Sequence, residues 1–161
     1  MTKKIGFGGG CHWCTEAVFS SLKGVEKVEQ RFIQSVTPFN TFSEAVIVTF
    51  DTYKITLQDL TEIHLHTHAS SSMHSMRNKY RSAIYFFEVA DEEEITNILQ
   101  TLQQQFKDPV ITKPLPFINF KQSLPQFQNY YLSNPGKPFC KLYIHPKLEL
   151  LKKKHSNIVK L

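Results

Sequence analysis

The chain has 161 residues, of which 41% are hydrophobic and 20% are charged, and its net charge is +5 at pH 7. This profile predicts a single globular domain over residues 1–161 and excludes collagen-like, coiled-coil and disordered chains. No apolar run approaches the ~20 residues that cross a bilayer, and the first residues lack the apolar segment of a secretory signal, so we expect a cytoplasmic protein without membrane association.

The positive charge is concentrated in the C-terminal part of the sequence. Residues 137–161 carry seven lysines and one acidic residue, whereas the first 136 residues have a net charge of −1. We interpret the sequence from about residue 145 as a basic, solvated tail or helix. Such a segment could attract nucleic acid or anionic lipid, but the aromatic and basic interleaving of nucleic-acid surfaces is missing, and we expect no nucleic-acid partner.

Hydrophobic periodicity predicts strands and helices in alternation along the chain. A short apolar run, three glycines and an amphipathic segment predict strand, turn and helix at the start of the sequence. A capping-box pattern opens the second helix, and three prolines predict an extended connection with one edge strand at 109–120. The predicted strands are 3–7, 25–33, 44–50 and 82–87, and the predicted helices are 11–22, 56–68, 91–106 and 123–132, followed by a turn at 134–138.

The order of these elements predicts the fold class. The succession β-α-β-β-α-β-α contains few parallel crossovers, which favours an α+β sandwich with helices against a mainly antiparallel sheet. A split βαβ arrangement of the ferredoxin-like kind fits this order.

Three cysteines, Cys11, Cys14 and Cys140, point to thiol chemistry, a metal site or buried cysteines rather than a secreted disulfide framework. Cys11 follows three glycines at the predicted start of a helix, where free N–H groups and the helix dipole stabilise a thiolate. We therefore predict a reactive thiol at Cys11. The C-x-x-C spacing to Cys14 suits a redox pair or half a zinc site, and without a second such motif a four-cysteine zinc site is excluded.

His64, His66 and His68 form a local histidine cluster. On the predicted helix only His64 and His68 share a face, because they are four residues apart. With the two N-terminal cysteines close in space, a soft metal site could form. A Cys/His metal-binding module is therefore an alternative to thiol chemistry.

The segment GGGCHWCTEAVF at 8–19 resembles the GCFW signature of the methionine sulfoxide reductase A family, which acts on the S epimer of methionine sulfoxide. Three more segments resemble the family in the same order: SEAV at 43–46, YRSAIY at 80–85 and NPGKPFC at 134–140. Together the four segments are spread over about 80% of the chain. The resemblance implies an α+β, ferredoxin-like sandwich of the methionine sulfoxide reductase A type.

The resemblance also implies roles for individual residues. Cys11 matches the nucleophile that takes the sulfoxide oxygen as a sulfenic acid, and Cys140 matches the cysteine that then forms a disulfide with it. Glu44 matches the acid at the sulfoxide oxygen, Tyr80 matches a tyrosine that hydrogen-bonds the same oxygen, and Trp13 matches a wall of the methyl pocket. The implied reductant is thioredoxin or a similar dithiol, with no metal, flavin or nicotinamide cofactor.

The chain departs from the family pattern near the substrate. His12 stands where the family has a phenylalanine wall, Phe32 where it has a second oxygen-binding tyrosine, and Ser75 where it has an aspartate. Cys14 could resolve the sulfenic acid directly or relay to Cys140. We predict a divergent, monomeric reductase of methionine S-sulfoxide, free or in protein. A homologue acting on another sulfoxide or disulfide, and the metal-binding module, are the alternatives.

Overall fold

The computed structural model describes residues 1–73, 76–122 and 144–160. Within these ranges, six strands form one sheet, and four α-helices and one short 3₁₀ turn accompany it. The strands are β1 (Thr2–Gly8), β2 (Val25–Gln34), β3 (Ser43–Asp51), β4 (Ala83–Phe86), β5 (Lys113–Pro116) and β6 (Asn119–Gln122). The helices are α1 (His12–Ser20), α2 (Leu57–Thr67), α3 (Ala90–Leu102) and α4 (His145–Lys154), and the 3₁₀ turn is Gln103–Gln105.

The sheet has the strand order β5-β4-β1-β3-β2-β6. All neighbouring strands run antiparallel except β4 and β5, which are parallel. The prediction of an α+β fold with a mainly antiparallel sheet is confirmed. β1 lies between β3 and β4, so its last residue, Gly8, pairs with Ala45 on one side and with Ala83 on the other.

Strand β3 is buried on both faces of the sheet. Val46, Val48 and Phe50 belong to the main core, which also contains the buried residues of the helices. Ala45 and Ile47 point to the other face and join a smaller apolar cluster there. Because successive side chains of a strand alternate between faces, burial on both faces explains the continuous apolar run that identified this strand in the sequence.

β5 confirms the edge strand that was predicted within residues 109–120, and part of a second edge strand that was not predicted, β6, also lies there. β5 forms one edge of the sheet beside β4, and β6 forms the other beside β2. Between them, the N–H of Phe117 donates to the carbonyl of Phe86 at 3.0 Å, and the N–H of Ile118 donates to that of Gln34 at 3.1 Å. The sheet is therefore curled, because the adjacent residues Phe117 and Ile118 connect its two edge strands, β5 and β6.

Helix boundaries follow local signals in the sequence. The Thr56 hydroxyl accepts from the Asp59 N–H at 3.0 Å, and the Asp59 carboxylate accepts from the Thr56 N–H at 3.2 Å, which confirms the predicted capping box. Helix α3 ends at Leu102, earlier than predicted, and the 3₁₀ turn follows it. The predicted helix at 123–132 and turn at 134–138 lie outside the described residues.

The basic C-terminal segment is packed against the body of the protein. Leu148 and Leu151 of α4 are buried in the main core. Beyond α4, the N–H of Lys23 donates to the carbonyl of Ile158 at 2.8 Å, and this contact ties the end of the segment to the turn after α1. In the described part of the chain, the helices are too short or too polar to cross a membrane.

Candidate active site

Cys11 is the N-cap residue of α1, with φ −59° and ψ 130°. Its carbonyl accepts the backbone N–H of Thr15 at 3.1 Å, which is the first hydrogen bond of the helix. The same carbonyl accepts the Thr15 hydroxyl, also at 3.1 Å. The predicted position of Cys11 at the start of the helix is confirmed. The thiol therefore lies at the helix end where unpaired N–H groups create a positive potential.

The glycines before Cys11 allow the chain to turn where other residues would collide. Gly9 has φ +151°, and a Cβ atom there would lie 2.5 Å from the imidazole ring of His68. A Cβ atom on Gly8 would lie 2.9 Å from the carbonyl oxygen of Arg81. The turn between β1 and α1 therefore needs glycine at both positions.

The environment of Cys11 favours its thiolate. A hydrogen bond from the side chain of Cys14 is the largest influence on the pKa of Cys11, and it lowers that pKa. The N–H groups of Trp13 and Cys14 act in the same direction, whereas burial and the charge of Glu44 oppose them. The net result is a lowered pKa, so a larger share of Cys11 is ionised near neutral pH than in an ordinary cysteine.

Glu44 lies on β3 directly beside the start of α1. Its carboxylate oxygen Oε1 accepts the backbone N–H of His12 at 3.2 Å, and only 6% of Glu44 is exposed. The register explains this proximity, because Ala45 pairs with Gly8 at the end of β1, three residues before Cys11. The strand pairing thus brings a buried carboxyl group to the residue that follows the thiol.

The segment before β4 approaches the same carboxyl group. The N–H of Glu44 donates to the carbonyl of Lys79 at 2.8 Å, and the hydroxyl of Ser43 donates to that carbonyl and accepts from the Arg81 N–H. These bonds hold the Lys79 ammonium 3.7 Å from Oε2 of Glu44 and 5.1 Å from the centre of the Tyr80 ring. The Tyr80 side chain, and after it Glu44, raise the pKa of Lys79. Sequence reasoning named Tyr80 but missed Lys79.

His12, Trp13 and Phe32 surround this carboxyl and thiol pair. The His12 ring lies edge-on to Phe32, with ring centres 5.2 Å apart. Its Nε2 is 3.4 Å from Oε1 of Glu44. Trp13 is partly buried and packs against the main core. The three residues that the sequence assigned to substrate binding therefore lie around the start of α1, although a binding role for each stays a prediction.

Lys147 of α4 was missed by sequence reasoning. Its ammonium donates a hydrogen bond to the carbonyl of Thr67 at the end of α2, next to the glycine turn. Burial lowers the pKa of Lys147, and the charges of Cys14 and Cys11 oppose that effect. The signal was present in the sequence, since Lys147 directly precedes Leu148, a residue of the buried face of α4. A cation from the basic C-terminal segment therefore stands near both cysteines.

The histidine cluster is divided between two faces of α2, as predicted for a helix. His64 Nε2 donates to the carbonyl of Gly8 at 2.8 Å, and His68 Nδ1 donates to the carbonyl of His64. His66 points away and bonds to Gln105 at 2.6 Å. Within residues 1–73, 76–122 and 144–160, no three His, Cys, Asp or Glu side chains are grouped closely enough to hold a metal ion.

His64 makes the stability of the protein depend on pH. Burial lowers the pKa of His64 to about 3, and burial also lowers the pKa of His68 well below its usual value. Between pH 6.5, where an unfolded histidine titrates, and pH 3, the unfolded chain binds the proton more readily. The contribution of His64 to the free energy of unfolding is therefore fully present above about pH 6.5, and it is lost progressively as the pH decreases toward 3.

We expect the free energy of unfolding to fall by about 2 kcal/mol between pH 7 and pH 5 through His64 alone, with His68 adding to the loss. Denaturant unfolding at the two pH values measures this difference. His64→Gln should show a smaller decrease than the wild type, because the glutamine cannot titrate. His66→Gln, on the opposite face of α2, is the matched control and should keep the wild-type decrease. An equal decrease in wild type and His64→Gln would contradict the assignment.

Arg77 links the glycine turn to the segment that carries Tyr80. Its Nη1 donates to the carbonyls of Gly9 at 2.8 Å and Tyr80 at 2.9 Å. Its other nitrogens donate to the carbonyls of Ala69 and Ser72. One side chain therefore holds three loops together behind the site. The predicted residues Cys140 and Ser75 lie outside the described residues.

Comparison with known proteins identifies the family. The model of the peptide methionine sulfoxide reductase family matches residues 3–159. A protein of Acinetobacter baumannii (strain AYE) named peptide methionine sulfoxide reductase MsrA is 32% identical over 168 residues, which cover 96% of either chain. The MsrA of Deinococcus radiodurans is also 32% identical, over 94% of this chain and 81% of that protein.

Solved structures share the fold. Mxr1 from Saccharomyces cerevisiae in reduced form gives a TM-score of 0.74 at 22% identity, over 86% of this chain and 89% of that one. Methionine sulfoxide reductase A of Corynebacterium diphtheriae gives a TM-score of 0.66 at 21% identity, over 83% of this chain and 76% of that chain. Mxr1 from Saccharomyces cerevisiae in complex with Trx2 gives a TM-score of 0.63 at 21% identity, over 80% of this chain and 84% of that chain. The chain thus belongs to the peptide methionine sulfoxide reductase A family, a family of oxidoreductases.

Proposed function

We propose that this protein reduces methionine S-sulfoxide, free or in proteins, to methionine. The observation that carries the proposal is the adjacency of a thiol and a carboxyl group. Cys11 has a lowered pKa at the N-terminus of α1, and Glu44 is bound to the N–H of the next residue at 3.2 Å. Reduction of a sulfoxide needs this combination, because a nucleophile must attack the sulfur while an acid assists departure of the oxygen.

The oxygen-transfer step is a two-electron exchange between two sulfur atoms. The Cys11 thiolate attacks the sulfoxide sulfur, and Glu44 supplies a proton to the oxygen. The attack joins the two sulfur atoms. The oxygen then moves to the Cys11 sulfur as the sulfur–sulfur bond and the bond between the oxygen and the methionine sulfur break. Cys11 ends as a sulfenic acid, oxidised by two electrons, and the sulfoxide ends as the thioether of methionine, reduced by two electrons. Tyr80 hydrogen-bonds the oxygen during this step.

A second thiol then resolves the sulfenic acid. The thiolate of Cys140 attacks the Cys11 sulfur, a disulfide forms, and the oxygen leaves as water after taking up a proton. Cys14 is the alternative resolving thiol, and its side chain already hydrogen-bonds Cys11. A dithiol protein such as thioredoxin would reduce the disulfide, and the solved complex of the similar protein Mxr1 with Trx2 supports this expectation. A monomeric state and a cytoplasmic location stay predictions.

Single-turnover reduction of separated S and R epimers of a methionine sulfoxide peptide tests the function. Without added reductant, we expect one methionine per chain from the S epimer and none from the R epimer. The masses of Cys14→Ser and Cys140→Ser after the reaction identify the resolving thiol, because the variant that lacks it keeps the sulfenic acid instead of a disulfide. Failure of the wild type to reduce either epimer would overturn the proposal.

A further inference from the structure

The carboxyl group of Glu44 has an unusual neighbour in His12. The imidazole is buried, with 5% of the residue exposed, and its Nε2 is 3.4 Å from Oε1 of Glu44. The backbone of Arg31 on β2 also hydrogen-bonds the imidazole, so the ring contacts both β2 and β3 beside the start of α1.

The backbone fixes this pair in place. The backbone N–H of His12 donates to Oε1 of Glu44 at 3.2 Å, and the imidazole of His12 lies beside the same oxygen. The main chain and the side chain of His12 therefore both contact one carboxylate oxygen. Phe32 of β2 closes the apolar side of the imidazole, with ring centres 5.2 Å apart. The family pattern has an apolar ring at position 12 and a hydroxyl-bearing ring at position 32. Here the polar group stands at 12 and the apolar ring at 32.

We propose that His12 is a positioning residue that shares one proton with Glu44 and keeps the carboxyl group able to protonate the sulfoxide oxygen. The inference rests on the proposed sulfoxide reduction. With Cys11 already ionised, the His12 and Glu44 pair holds one proton taken up from solvent. In the oxygen-transfer step, Glu44 gives that proton to the oxygen, and the oxygen becomes the hydroxyl of the Cys11 sulfenic acid. One proton leaves the pair and one is gained by the product, so the step needs no further reactant.

The charged groups that face His12 set the direction of its titration. Burial lowers the pKa of His12. The Glu44 carboxylate from β3 and the backbone of Arg31 on β2 oppose this effect, and the Lys79 ammonium adds to it. Cys11 is the neighbouring titratable residue in the chain. Interacting groups at such distances titrate as a unit. The imidazole offers the proton a second site beside the carboxyl group, so without His12 the proton is held less strongly and is lost at lower pH.

The test is the pH dependence of the single-turnover rate for wild type and His12→Phe, the residue usual in the family. We expect the decrease in rate at alkaline pH to begin about one pH unit lower in His12→Phe than in the wild type. At pH values above the start of the decrease, the rate of the variant should therefore be about tenfold lower than that of the wild type. His12→Gln, which can form hydrogen bonds but carries no titrating proton, should shift the start of the decrease in the same way. His66→Phe makes the same change away from the site and should keep the wild-type profile.

Alkylation of Cys11 by iodoacetamide as a function of pH distinguishes an effect of His12 on the proton of Glu44 from an effect of His12 on the ionisation of Cys11. Our proposal expects the alkylation profile to stay near that of the wild type while the turnover profile shifts. If the alkylation profile shifts and accounts for the whole change in turnover, or if neither variant moves the alkaline limb, the proposal is overturned. A wild type that reduces no sulfoxide would instead overturn the proposed function itself.

Discussion

Replacing Cys11 with serine is expected to abolish the formation of methionine in the single-turnover assay. A serine hydroxyl remains protonated near neutral pH, and its oxygen cannot accept the sulfoxide oxygen as a cysteine thiolate does. The fold should not suffer, because Cys11 is the N-cap of α1 and a serine hydroxyl can accept the backbone N–H groups that face the sulfur. Serine is a preferred N-cap residue, so we expect the free energy of unfolding to stay equal or rise by about 0.5–1 kcal/mol.

The combination of lost activity and retained stability is the informative result for Cys11→Ser. Denaturant unfolding of the variant and the wild type measures the stability, and the methionine released per chain measures the activity. Cys14→Ser is the comparison within the same motif, because it keeps the attacking thiol and should still release methionine. Release of methionine by Cys11→Ser at a rate near that of the wild type would show that another group attacks the sulfoxide.

Replacing Glu44 with glutamine is expected to lower the single-turnover rate by about 100-fold, which is the usual scale of one general acid. Glutamine has nearly the same shape and can still accept the N–H of His12, so the hydrogen bond that holds β3 to the start of α1 can persist. It cannot supply a proton to the oxygen. The loss should therefore appear in the rate of methionine formation and much less in the concentration of sulfoxide needed for half-saturation.

The control for Glu44→Gln is Glu149→Gln. Glu149 lies on α4, and its side chain is 73% exposed and paired with Lys152 at 3.6 Å. We expect this variant to match the wild type in rate. A Glu44→Gln rate within about threefold of the wild type would contradict the acid role, since a general acid contributes far more than that.

The position of Cys11 could be predicted from sequence because every determinant is local. A strand, a glycine turn and a helix follow each other within the first 20 residues, and the chain needs no distant contact to bring the thiol to the helix end. The capping box at Thr56 was predictable for the same reason, because its two partners are three residues apart. Local periodicity and turn chemistry are the signals that a single sequence carries most reliably.

The neighbourhood of Cys11 depends on contacts that the sequence does not display. Glu44 and Tyr80 were named only through the family resemblance, and their approach follows from the pairing of Gly8 with Ala45 and Ala83. Lys79 was missed because a mostly exposed lysine has no distinctive pattern, and Lys147 was missed because its segment was interpreted as solvated. Their long side chains reach the site only after β3 and α4 have packed. The second edge strand, β6, was missed because it is only four residues long and is exposed along its length.

The single tryptophan of the chain, Trp13, lies between Cys11 and Cys14 in the first turn of α1. It is partly buried, and its backbone N–H hydrogen-bonds the Cys11 sulfur. All indole fluorescence of this protein therefore originates within one helical turn of the reactive thiol. We expect a change in the charge or oxidation state of that sulfur to alter the quenching of the indole, so that Trp13 would serve as an internal optical reporter. Stopped-flow emission of the unlabelled protein is the measurement that would follow the proposed thiol cycle.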